Sequence, residues 1–166
     1  MLNPVDTTTV IRDGAASGRQ PDQIHTGVAW WMAACFVVTT ETDRLAVAHD
    51  GHPVSGEYFD RLCRGAVNAQ HYACRVLTLG AADESELLAA MEEAGGIPGM
   101  RVSTTTADDG DIVTVALYDR DGQPLTETAG LAVIRQMIAE DRVPIPVNDT
   151  CKGTVEPYAA TMGAGR

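Results

Sequence analysis

The sequence predicts an α/β fold: a single doubly wound, three-layer α/β/α domain around a mixed, mostly parallel sheet. Three observations predict it. Apolar runs of strand length alternate with stretches of helical period along most of the chain. One of those runs, 44–48, is short and nearly all apolar, as a buried parallel strand is. The chain has 166 residues, 45% of them hydrophobic and 21% charged, which suits one domain with a real core.

The elements follow in order. Residues 1–20 are small and polar and form an N-terminal segment with a short strand over 9–11. Pro21 opens a helical stretch in which Ile24, Val28, Trp31, Met32 and Cys35 recur at helical spacing. Its apolar run, residues 28–38, is eleven residues long, against about 20 for a membrane span, so it reads as a core helix. Residues 44–48 (RLAVA) read as a buried parallel strand closed by His49-Asp50-Gly51. Ser55 can cap a second helix whose inner face is Tyr58, Leu62, Ala66 and Ala69. Residues 75–79 (RVLTL) are the next strand, ended by Gly80.

Asp83, with Glu86 three residues on, forms a capping box for a third helix over 87–94, terminated by Gly95-Gly96. Two further strands, 100–104 and 112–118, flank a loop rich in Thr and Asp. Asp121-Gly122 turns the chain, and Thr126 starts a last helix through Leu131, Ile134 and Ile138. From Pro144 the composition turns Pro/Gly-rich, and the chain is expected to be extended or partly disordered. The expected organisation is therefore an N-terminal segment, 1–20, a core, 21–142, and a tail, 143–166. No internal repeat is present. Ligands of open α/β sheets gather beyond the strand C-termini, which selects the loops 49–55, 80–83 and 104–111.

Charge narrows the function classes. The formal net charge is −11 and the pI about 4.6. Nucleic acid binding needs a basic stripe, and none is present; an anionic membrane surface is disfavoured for the same reason. The stretch before the apolar run carries acids and no small-residue cleavage site follows it, so a signal peptide is not expected. Cys35, Cys63, Cys74 and Cys151 make no CxxC pair and no zinc spacing. The first three sit in apolar patterns and read as buried free thiols, which suits a cytoplasmic protein, whereas Cys151 reads as exposed. His25 and His71 read as surface residues. Trp30 and Trp31 cannot both face inward from one helix, so one belongs at the edge of the core or in a contact with a protein partner or a second copy.

With the landmarks in this order, the chain resembles the first domain of the phosphohexomutases, the phosphomannomutase/phosphoglucomutase family. The resemblance covers roughly residues 10–142. It rests on AVAHDGHPVSGE (46–57) where the family has its R-D-x-R-P-S turn, and on VLTLGAADESELLAAMEEAGG (76–96) for the following strand and helix. It continues through GMRVSTTTADDGDIVTVALYDRDGQPLTE (99–127), where the family has the T-A-S-H-N-P phosphoserine loop, a Y-N-G-I-K-L strand and a D-x-G-x-P-L turn.

What the resemblance implies about the site is mostly loss. The family's phosphoserine falls at Thr106, and its His-Asn-Pro at Ala107-Asp108-Asp109. The lysine of N-G-I-K falls at Ala116, the arginine of Y-D-x-R-G at Ser17 and the arginine of R-P-S at His52. Phosphoryl transfer needs a positioned nucleophile and cations against the developing charge, and at these positions cations are replaced while acids are gained. The family's magnesium, sugar and phosphate loops belong to later domains that 166 residues do not accommodate. Asp109-Gly110-Asp111 matches half of the magnesium motif, with Val113 at the third acid position, so Mg²⁺ is only weakly supported and no cofactor is expected.

Four readings of the Thr/Asp loop stand open, the first being a solvated surface loop with no chemistry. Thr104, Thr105 or Thr106 is a phospho-acceptor; or Asp108, Asp109 and Asp111 supply fixed negative charge in place of a phosphoserine; or they do acid–base work on a new substrate. His49, His52 and Ser55 line the neighbouring loop as candidate ligand-binding residues. His49 and His52 at i and i+3 suit a metal only with a third ligand, which the sequence does not show; the leading reading of the pair is structural, with His49 and Asp50 orienting the backbone of the turn. The leading expectation is a stand-alone, non-catalytic binding or regulatory protein. A small repurposed biosynthetic enzyme and one subunit of a split phosphosugar mutase are the alternatives. A phosphosugar is the ligand the resemblance suggests.

Overall fold

A computed structural model describes residues 5–69, 74–144 and 152–158. Cys151, His71 and most of the 143–166 tail lie outside the described residues. Among those described, seven strands form one mixed sheet in the order β1-β2-β6-β5-β3-β4-β7, with helices on both faces. These are β1 (Ile11–Arg12), β2 (Ala15–Arg19), β3 (Arg44–His49), β4 (Arg75–Ala81), β5 (Gly99–Ala107), β6 (Gly110–Tyr118) and β7 (Thr154–Pro157). Pairing is parallel through β5-β3-β4-β7 and antiparallel through β1-β2-β6-β5. The predicted α/β class and layered architecture are those of the structure.

On the first face lie α2 (Thr26–Thr40) and α3 (Pro53–Val67), with α5 (Ala132–Ala139) beside α2 and α1 (Thr7–Val10) beside α5. Their apolar residues close on Leu45, Val47, Val76, Met100, Val102, Val113, Val115 and Leu117 of the sheet, and this is the main core. α2 is apolar nearly all round because neighbours cover it on several sides. Trp31 is buried within it, and Trp30 is half-buried at the core's edge. α2 meets α3 so closely that a Cβ on Gly65 would lie 2.9 Å from Trp30 Cα and nearer still to its carbonyl oxygen. The second face carries α4 (Glu84–Glu93), whose Leu87 and Met91 pack on Ala46 and Ala48. Asp83 and Glu86 close the predicted capping box at its start.

Six expectations need correction. Residues 7–10 are a helical turn, because the Asp6 side chain caps it by accepting from Thr9 N–H; strand begins at Ile11 and turns back into β2 through Asp13 and Gly14, both at positive φ. α2 begins at Thr26 rather than Pro21, with His25 as cap: its Nδ1 accepts from Gly27 N–H, and its ring stands edge-on to Trp31 at 5.0 Å, so His25 is half-buried and not a surface residue. α3 is capped by His52, not Ser55; Pro53 occupies the first turn, and Ser55 is fully buried inside the helix. The Thr/Asp stretch 104–111 is not a loop but the end of a hairpin, as detailed below. Residues 154–157, expected as extended tail, add to the sheet as a strand parallel to β4.

Candidate functional site

The β3–α3 connection and the β5–β6 hairpin meet at the strand ends through one carboxylate, Asp50. Its Oδ1 accepts from His52 N–H at 3.0 Å and its Oδ2 from Thr104 N–H at 2.8 Å. Beside it the Ser55 and Thr104 hydroxyls share a hydrogen bond of 2.6 Å. Partial burial by itself would raise the Asp50 pKa; the bonds from Thr104, His52 and Ser55, and the charge of Arg101, outweigh it and hold the group below the usual carboxylate value. Asp50 thus joins the predicted residues His52, Ser55 and Thr104 into one network.

Both predicted histidines spend their Nδ1 on local backbone. His49 Nδ1 accepts from Gly51 N–H at 3.0 Å, with its ring on Phe59, and His52 Nδ1 accepts from Val54 N–H at 3.1 Å. An Nδ1 that accepts is unprotonated, which in neutral imidazole places the proton on Nε2, away from metal-ligand duty. Among the described residues no group of three His, Cys, Asp or Glu side chains converges as a metal site.

The hairpin places the remaining predicted residues apart from that network. Thr105 pairs with Ile112, Thr106 with Asp111 and Ala107 with Gly110, leaving Asp108-Asp109 as a two-residue turn. Gly110 takes φ 135° just after it, a conformation that L side chains rarely adopt. Thr105, Thr106, Asp108 and Asp109 are exposed. Strand alternation puts Thr104 and Thr106 toward the α3 side and Thr105 on the opposite face. Arg19 reaches the turn, but its guanidinium is shared between Asp109 at 2.9 Å and Asp22 at 3.1 Å. Asp111 accepts Gln20 N–H through its backbone carbonyl.

A second feature was not legible as a site in the sequence. α4 covers only part of the second face, and where it stops a cleft of about 310 Å³ opens over β2, β5 and β6. Glu84, Arg101, Ser103, Thr114 and Tyr118 line it. Arg101 Nε donates to the Ala82 carbonyl at 2.9 Å, and Tyr118 Oη donates to Glu84 Oε2 at 2.6 Å. Burial, with that bond and the Glu84 charge, pushes the Tyr118 phenol well above its ordinary pKa, so it stays a donor. Ser17 and Ala116, where the resemblance expects cations, stand on adjacent strands at this face; Ser17 Oγ bonds Thr114 Oγ1 at 2.8 Å.

Solved structures of similar fold agree with the resemblance. A phosphoglucomutase/phosphomannomutase family protein from Burkholderia thailandensis superposes with a TM-score of 0.70 at 14% identity, over 97% of this chain and 35% of its own. A putative phosphomannomutase from Thermus thermophilus does so with a TM-score of 0.67 at 15% identity, over 89% of this chain and 33% of its own. The chain therefore has a phosphohexomutase-like fold and spans about a third of the length of these two structures. No protein-family model and no curated protein sequence matches it. No helix among the described residues is long and apolar enough to cross a membrane.

Proposed function

We propose that the chain is a phosphohexomutase domain-I-like module that acts by binding a partner protein in the cytoplasm and does not carry out phosphoryl transfer. The observation that carries the reading is the hairpin. Where the resemblance places a phosphoserine loop, the backbone of 104–107 is zipped against 110–113, and Thr106 faces Asp111 across the ladder. A nucleophile there needs cations to receive the phosphoryl group. Three aspartates flank Thr106 instead, and the arginine that reaches the turn is already paired with two of the chain's carboxylates. At the counterparts of the family's other cations stand Ser17, His52 and Ala116, and His52 is engaged as a helix cap. What is kept is the sheet, the helices and the Asp50 junction that fixes the two strand-end segments together.

The test is phosphoryl transfer itself. The chain is incubated with glucose 1,6-bisphosphate and Mg²⁺, its intact mass is followed, and turnover of glucose 1-phosphate and mannose 1-phosphate is assayed. The expected result is an unmodified protein and no turnover, for the native chain and for Thr106→Ser alike. A phosphoryl increment mapping to Thr104, Thr105 or Thr106, or turnover of either sugar, overturns the reading.

A further inference from the structure

The cleft on the second face holds two opposite charges that do not meet. Arg101 leaves the middle of β5, half-buried, with its Nε–H fixed on the Ala82 carbonyl. Arg19, Arg75, Arg135 and Arg142 each pair with a carboxylate; Arg101, like Arg44, is fixed on a backbone carbonyl instead, and no carboxylate of the described residues lies within 4.0 Å of it. Glu84 lines the same cleft at the start of α4. Its Oε2 takes the Tyr118 hydroxyl, and no cation of the described residues lies within 4.0 Å of it. Each charge is thus held in place by a neutral hydrogen-bond partner, and the Asp50 carboxylate feels the Arg101 charge only from beyond ion-pair distance. Arg101 is half-buried and Glu84 is exposed at the cleft mouth; a half-buried ion is stabilised by opposite charge, so a ligand carrying both signs would give each of them a partner.

We propose that this cleft binds a small zwitterion of the α-amino-acid class, with its carboxylate on Arg101 and its ammonium on Glu84. A guanidinium fork is suited to a carboxylate, which it can grip with two parallel N–H bonds. The Ser103 and Thr114 hydroxyls stand next to it on the cleft wall and can share the carboxylate oxygens. Anions without an amine would meet Glu84 and the nearby Asp13 with nothing to offset them, and amines without a carboxylate would meet Arg101 in the same way. A volume of about 310 Å³ is at the small end for ligand pockets and suits a metabolite of this size. The assignment does not depend on whether the hairpin is catalytically inert.

The test is a titration of the ¹⁵N-labelled full chain with each protein amino acid in turn, with acetate, methylamine and inorganic phosphate as controls. Saturable shifts centred on the amides of Arg101, Ser103 and Thr114 are expected with at least one amino acid, and acetate and methylamine should bind at least about tenfold more weakly. Arg101→Met and Glu84→Gln should each weaken the amino acid at least about tenfold. Should Arg101→Met fail to fold, Glu84→Gln decides, because it keeps an acceptor for Tyr118. No saturable shift with any amino acid overturns the proposal. So does phosphate binding at the same amides that Glu84→Gln leaves unchanged, which would make the cleft a simple anion site.

Discussion

The two faces of the sheet are built from the same strands and have opposite characters. Toward α2 and α3, β5 and β6 present Met100, Val102, Val113, Val115 and Leu117, all fully buried. Toward the other side the same strands present Arg101, Ser103, Thr114 and Ala116, none of them buried. Under α4 the second face is apolar too, but with the small Ala46 and Ala48. The difference teaches where the chain's constraints lie. The first face stores the hydrophobic energy of the fold, and the second, once α4 has covered its part, is left for polar chemistry. Structural relatives at 14–15% identity are reached through the first kind of constraint, which many sequences can satisfy.

The sharpest way to break the comparison is at the contact between α2 and α3, on the buried side. Gly65 faces Trp30 backbone, so Gly65→Ala cannot be absorbed by moving a flexible side chain. The helices must part, and a loss of about 3 kcal/mol is expected in urea denaturation. A loss under half of that would mean that α2 and α3 are less tightly seated than the geometry shows. Neighbours on β6 then give a matched pair. Val115→Ala opens a cavity in a fully buried site and should cost about 2 kcal/mol. Thr114→Ala, one residue earlier on the opposite face, loses one hydroxyl contact with Ser17 and should cost about 0.5 kcal/mol. Equal costs would erase the distinction between the faces.

What was legible follows the same division. β3 and α2 could be read as apolar runs, α3 by the helical period of its buried face and α4 by its Asp83/Glu86 box. β7 could not, since its residues are mostly exposed and only pairing with β4 makes them a strand. The ends of β5 and β6 read as a loop because strand residues that face solvent, Thr105, Thr106 and Asp111 among them, have loop composition. Of the candidate site, His52, Ser55 and Thr104 do come together, through Asp50. Thr106, Asp108 and Asp109 stand apart from them on the hairpin. The cleft was invisible because its members come from α4, β5, β6 and the β1–β2 turn, and only the sheet order makes them neighbours.

Asp50 gives the mildest test, and it separates an ionic anchor from a steric one. The carboxylate is exposed on one side, yet its hydrogen bonds hold its pKa below the ordinary value. A group whose pKa is lower folded than unfolded stabilises the fold fully above its unfolded pKa, about 4 for aspartate. That contribution fades as pH falls through the folded value. Asp50→Asn places an amide where two N–H donors converge, and it should cost about 1 kcal/mol at neutral pH. The gap between native and variant should hold steady from pH 7 to about 5 and close below about 4. The other depressed carboxylates, Asp6, Glu127, Glu140 and Glu156, titrate in both proteins and cancel in the difference. If the gap persists undiminished at acid pH, Asp50 holds the β3–α3 turn to the hairpin by its shape alone. If it closes on schedule, the strand-end junction depends on a charge at the rim of the buried face, where that face meets water.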